Sequence, residues 1–95
     1  MAALTLIFAL SGKLFTKDRI VREGRWNDRV EHMGIGLTGR RLGLIGAGGI
    51  GQELIPLARP FFREVLVNDP YVDADLYARL GAVKRSFDEV VSESD

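Results

Sequence analysis

Three glycines at fixed spacing stand in the segment Gly46-Ala47-Gly48-Gly49-Ile50-Gly51, and each is useful for what it lacks. Gly46 lets the chain turn sharply as it leaves a strand. Gly48 removes the Cβ that would hold a diphosphate off the backbone, and Gly51 lets the following helix lie close to a sheet. An anion placed there rests on the free amides and the positive end of a helix, so no Lys or Arg is needed. Asp69 follows Gly51 by eighteen residues and precedes Pro70. A spacing of about 20 suits a carboxylate that accepts both ribose hydroxyls of an adenosine. It would repel a 2′-phosphate, which favours NAD over NADP. The expected cofactor contacts are therefore Gly46, Gly48, Gly49, Ile50, Gly51, Asp69 and Pro70. Two plainer readings stand beside this one: a flexible loop in a chain holding 11 Gly, and a turn role for Asp69 ahead of Pro70.

Such a turn works only between a strand and a helix, and the flanking residues supply both. Leu42-Gly43-Leu44-Ile45 is a short apolar run bounded by glycines, which predicts a buried strand. Beyond the turn, Ile50, Leu54, Leu57, Ala58 and Phe61 recur at helical spacing. Val65-Leu66-Val67, ending at Asn68-Asp69-Pro70, reads as a second strand buried on both faces. Asp73 can cap a short helix carrying Leu76 and Leu80, and Gly81 can close it in a left-handed conformation. Ala82-Val83-Lys84 makes a brief third strand, and Ser86 with Glu89 has the spacing of a capping box for a last helix through Phe87, Val90 and Val91. Strands alternating with helices on tight connections predict a parallel sheet with the second strand between the first and third.

Ahead of these elements, Leu4, Ile7, Phe8 and Phe15 share one helical face, which predicts a helix from the N-terminus to about Phe15. The polar stretch Lys17 to Glu31 shows no period and reads as an arm or connector around Trp26. The apolar opening is too short to span a membrane and has no preceding positive charge, so neither an anchor nor a signal peptide is expected. Thirteen basic residues balance thirteen acidic ones over 95 residues. No net field draws the chain to nucleic acid or to an anionic membrane. A hydrophobic share of 46% with 27% charged residues is that of a chain that folds. The absence of Cys excludes disulfides, thiolate metal sites and cysteine nucleophiles, and permits a cytoplasmic setting. His32, the one histidine, precedes the first strand and is read as packing or exposed rather than catalytic.

From Gly36-Leu37-Thr38-Gly39-Arg40 through the glycine turn, Arg59-Pro60-Phe61 and Val67-Asn68-Asp69-Pro70-Tyr71, the sequence resembles the NAD-binding domain of the D-isomer-specific 2-hydroxyacid dehydrogenases. Arg22-Glu23-Gly24-Arg25-Trp26 is similar to the arm preceding that domain, and Leu80-Gly81-Ala82 and Phe87-Asp88-Glu89-Val90 resemble its later turns. The resemblance implies an α/β fold: a partial Rossmann domain of three parallel strands with flanking helices, behind an N-terminal helix and arm. Its domains would be residues 1–33, a dimerisation-type segment, and 34–95, the first half of the NAD-binding domain. It implies NAD as cofactor, hydride exchange with a 2-hydroxy or 2-keto acid, and a homodimer. The family's catalytic Arg, Glu and His lie on later elements, so no catalytic residue is assigned and the chain is expected to be an inactive fragment by itself.

Three positions depart from the family pattern. Gly49 stands where an Arg is common, Pro56 falls inside the cofactor helix and should kink it, and Phe62 replaces a common Gly at the helix exit. A first strand with an open edge would leave the polypeptide marginally stable or prone to aggregate. The alternative function is a non-catalytic module that holds NAD or S-adenosylmethionine on the same turn.

Overall fold

The computed structural model describes residues 2–46, 48–71 and 73–95. The chain forms two compact units, Met1–Gly36 and Leu37–Asp95. Among the described residues no helix is long and apolar enough to cross a membrane.

In the first unit, α1 (Ala2–Ser11) and α2 (Leu14–Arg22) are separate helices. The single helix expected to reach Phe15 is thus broken at Gly12 and Lys13. Lys13 takes a left-handed φ of 54°, a conformation that ends a helix and is uncommon outside glycine. Its carbonyl then accepts from Lys17 N at 3.0 Å and starts α2. The shared apolar face does not survive the break: Ala9 and Ile20 are buried, whereas Phe8 and Phe15 are exposed. The stretch expected to be a connector instead carries most of α2 and a 3-10 helix over Trp26–His32. Its polarity hid the helix, because α2 buries only Ile20. Gly24, at φ 71°, closes α2, and Arg25 then bridges Glu23 and Asp28 at 2.9 and 2.8 Å. The Arg29 guanidinium lies 4.8 Å from the centre of the Trp26 ring, a cation–π contact. Gly34 sits where a Cβ would collide with the Ser11 carbonyl and lie 2.8 Å from Gly12 Cα.

The second unit is a parallel three-stranded sheet in the order β1-β2-β3, with β1 at Arg41–Ile45, β2 at Glu64–Asn68 and β3 at Val83–Lys84. Its helices are α3 (Gly49–Ala58), α4 (Ala74–Leu80) and α5 (Phe87–Glu93). The strand order is the expected one, as is the burial of Val65, Leu66 and Val67, all at 0% exposure. β1 corrects the expectation of a buried strand: Leu42, Gly43 and Leu44 are half-buried and Ile45 is exposed. The reason is its position, since among the described residues it pairs with β2 alone.

The α3 stripe is also corrected. Leu54, Ile55 and Ala58 face the core, while Ile50, Leu57 and Phe61 are exposed. Phe61 is beyond the helix, in the 3-10 turn Arg59–Phe61. α3 continues for two residues past Pro56, which has no N–H to give residue 52. It leaves through that turn to Phe62 in an extended conformation, where Arg59 Nη1 donates to the Phe62 carbonyl at 2.9 Å. Asp73 caps α4 by accepting from Leu76 N at 2.9 Å, and Gly81 closes it at φ 91°. Ser86 and Glu89 form the expected capping box of α5, although only Val90 of its three apolar residues is buried. β3 is one residue shorter than expected, without Ala82.

Candidate functional site

β1 and β2 run side by side from Arg41 opposite Glu64 to Ile45 opposite Asn68, so their carboxyl ends are level. The ladder extends one step further, with Gly46 N donating to the Asn68 carbonyl at 2.8 Å. The two sequence signals, the glycine turn and Asp69, therefore leave neighbouring strands at the same end of the sheet. In open α/β sheets that end is where ligands bind.

Gly46 has φ 86°, which an L side chain adopts only with strain. Gly48 is the N-cap of α3, and the first α-helical bond runs from Gln52 N to the Gly48 carbonyl at 2.9 Å. Amides ahead of that bond are those an α-helix leaves without an acceptor of its own. A Cβ added at Gly48 or Gly49 would meet no heavy atom within 4 Å. These glycines therefore preserve open space above the turn rather than relieve crowding inside the protein, which is the arrangement a diphosphate requires. Gly51 lies half-buried in the first turn of α3, Ile50 is 76% exposed, and Ala47 lies outside the described residues.

Asp69 directly follows β2 and is 8% exposed. Its Oδ1 accepts from Tyr71 N at 2.8 Å, a turn across Pro70 of the kind Asp makes with the amide two residues on. The turn reading of Asp69 is thus realised. The turn fixes the direction of the side chain. Pro70 and Tyr71 are exposed on the outside of the same turn. Val72 lies outside the described residues. His32 is in the 3-10 helix of the first unit.

Sequence reasoning missed Tyr77. It is fully buried beneath β2 in a cluster with Ile55, Val65, Val67 and Ala82. Burial, and then the negative charge of Asp69, push its phenol above the usual tyrosine range. The signal was present in its place on α4, one residue after Leu76, but the stripe of Leu76 and Leu80 drew the reading away from it.

A glycine turn opening a helix, level with an acidic residue just past the end of the neighbouring parallel strand, defines the class of nucleotide-binding Rossmann-type domains. Residues 4–95 match the family model for the D-isomer specific 2-hydroxyacid dehydrogenase, NAD binding domain. The chain belongs to that family, as part of its NAD-binding domain. Among similar proteins, D-3-phosphoglycerate dehydrogenase of Archaeoglobus fulgidus is 34% identical over 93 residues, which cover 98% of this chain and 18% of the relative. Glyoxylate reductase of Thermococcus onnurineus is 31% identical over 98% of this chain and 30% of its own length. The chain thus spans less than a third of either. The solved structure of NAD-dependent formate dehydrogenase from Staphylococcus aureus in complex with NAD superposes with a TM-score of 0.81 at 29% identity, over 98% of this chain and 28% of that one. A D-lactate dehydrogenase from Treponema pallidum gives 0.85 at 26% identity, over 99% and 28%.

Proposed function

We propose that Gly46, Gly48, Gly49, Ile50 and Gly51 hold the diphosphate of NAD and that Asp69, beside Pro70, takes its adenosine ribose, within an enzyme that moves hydride between NAD and a 2-hydroxy or 2-keto acid. The observation that carries this reading is the level exit of Gly46 and Asp69 from paired parallel strands. The nicotinamide supplies or receives the hydride. The residues of this chain bind and orient the other end of the cofactor. The backbone of the glycine turn faces an anion with amides rather than cations, and Asp69 sets a negative charge where NADP carries its 2′-phosphate.

A module that holds S-adenosylmethionine without redox chemistry is the less favoured reading. The family match is to an NAD-binding domain, and a solved relative is in complex with NAD. A homodimer is part of the proposal. Leu10, Phe15, Trp26 and Val30 of the first unit are each more than half exposed, and large apolar side chains of this kind are suited to cover by a second copy. Light scattering on the enzyme and on Trp26→Ala tests it, with a dimer expected and a weaker dimer in the variant. A cytoplasmic location completes the reading, in keeping with a chain that has no cysteine.

Thermal shift with NAD, NADP and S-adenosylmethionine tests the site, since a ligand that binds only the folded state raises the melting temperature. The largest shift is expected with NAD, and Asp69→Ala should lose it. An unchanged NAD shift in Asp69→Ala would remove the ribose assignment.

A further inference from the structure

Tyr77 is at 0% exposure, and its hydroxyl has no hydrogen-bond partner. A polar group buried in that way is rare and calls for an explanation. The ring packs with Val65 and Val67. Side chains alternate across a strand, and Asp69, the first residue past β2, continues the series of Val65 and Val67, the residues that Tyr77 packs with. Asp69 is itself almost buried at 8% exposure, and its charge acts on the phenol. Burial and that charge both keep Tyr77 protonated at neutral pH, so its hydroxyl stays a hydrogen-bond donor.

We propose that Tyr77 is a positioning residue for the adenosine end of the dinucleotide, its buried hydroxyl donating to the Asp69 carboxylate when ribose hydroxyls occupy the outer side of that group. The inference rests on the reading of Asp69 as the ribose ligand. Asp69 Oδ1 accepts from the Tyr71 amide at 2.8 Å. A carboxylate offers about four acceptor directions, so it can accept from more than one donor at a time. Ribose binding then satisfies a donor that is otherwise orphaned, and Tyr77 favours the carboxylate orientation that the ligand needs.

Tyr77→Phe keeps the ring and removes only the hydroxyl. Calorimetric titration of the 95-residue chain with ADP-ribose, which carries the adenosine and diphosphate without nicotinamide, reads its effect. Affinity is expected to fall about tenfold, the scale of one hydrogen bond to a charged group. The melting temperature of ligand-free Tyr77→Phe is expected to stay level or rise, because an unsatisfied donor has gone. Affinity equal to the unsubstituted chain overturns the inference, and so does a loss of affinity matched by a lower melting temperature, which marks a purely structural hydroxyl. Failure of the ribose reading shows separately, as ADP-ribose binding that Asp69→Ala leaves unchanged.

Discussion

Gly48→Ala separates what the glycine turn does for the fold from what it does for a ligand. Gly48 has φ −67°, on the negative side that L-residues occupy, and the new Cβ would meet no heavy atom within 4 Å. Replacing Gly by Ala at a compatible position stabilises by about 0.4–1 kcal/mol through the unfolded chain. Alanine is a poorer N-cap than glycine, which costs roughly 1 kcal/mol. The two nearly cancel, so unfolding in urea should change by less than about 1 kcal/mol. A diphosphate kept off the backbone loses at least one charge-assisted hydrogen bond, about 1.5–3 kcal/mol, or roughly ten- to hundredfold in affinity. Calorimetric titration with NAD at fixed salt, run beside the urea curve, measures both numbers. Gly46→Ala is the control. Its φ of 86° makes any side chain strained by about 1–2 kcal/mol, so stability and binding should fall together. NAD affinity within twofold of the unsubstituted chain in Gly48→Ala would refute the reasoning, since the space above the turn would then hold no phosphate.

Two further outcomes follow from the packing of the second unit. A Cβ on Gly43 would collide with Ser94 Oγ and stand 2.7 Å from Ser94 Cβ and 2.9 Å from Val90 Cγ1, so Gly43→Ala should cost about 1–3 kcal/mol in urea unfolding, and Ser94→Gly should recover part of it. Stability should fall on acidification, because bonds from the Arg41 amide and the Arg40 guanidinium hold Asp95 below the usual carboxylate range, and hydrogen bonding by Ser86 does the same for Glu89. A lowered folded pKa gives stability that is present above the unfolded value, roughly pH 4, and lost as pH falls through the folded one. Asp95→Asn and Glu89→Gln should each flatten that fall in a pH series of melting temperatures.

The elements legible in the sequence were those with local chemical markers. Asp73 and Gly81 bracket α4, Ser86 and Glu89 open α5, and the Val65-Leu66-Val67 run marks the central strand. The glycine turn was legible for the same reason: a positive φ at Gly46 and open space at Gly48 are properties of single residues. What escaped depended on neighbours. The apolar period of Leu4, Ile7 and Phe8 reaches Phe15 on paper, but one left-handed residue, Lys13, turns the chain between them. The β1 run is apolar along its length and still half-open, because composition records what a strand needs covered and not what covers it. In α3 the buried positions Leu54, Ile55 and Ala58 belong to a stripe rotated from the expected one, and Ile50 stands exposed in the first turn of the helix. Tyr77 was invisible as a site because its interest lies in an unmet hydrogen bond, which no spacing announces.

The flush pairing of β1 with β2 also bears on how the distance from Gly51 to Asp69 can vary in length. One residue inserted in the exposed Arg59–Phe61 corner would bulge outward and leave every strand partner in place. The same insertion within Glu64–Asn68 would turn Asp69 to the opposite face of the sheet, because side chains there alternate with each residue. Tolerance of deletions and insertions should therefore be confined to that corner, and a variant library across residues 52–69 should show it as a single permissive window.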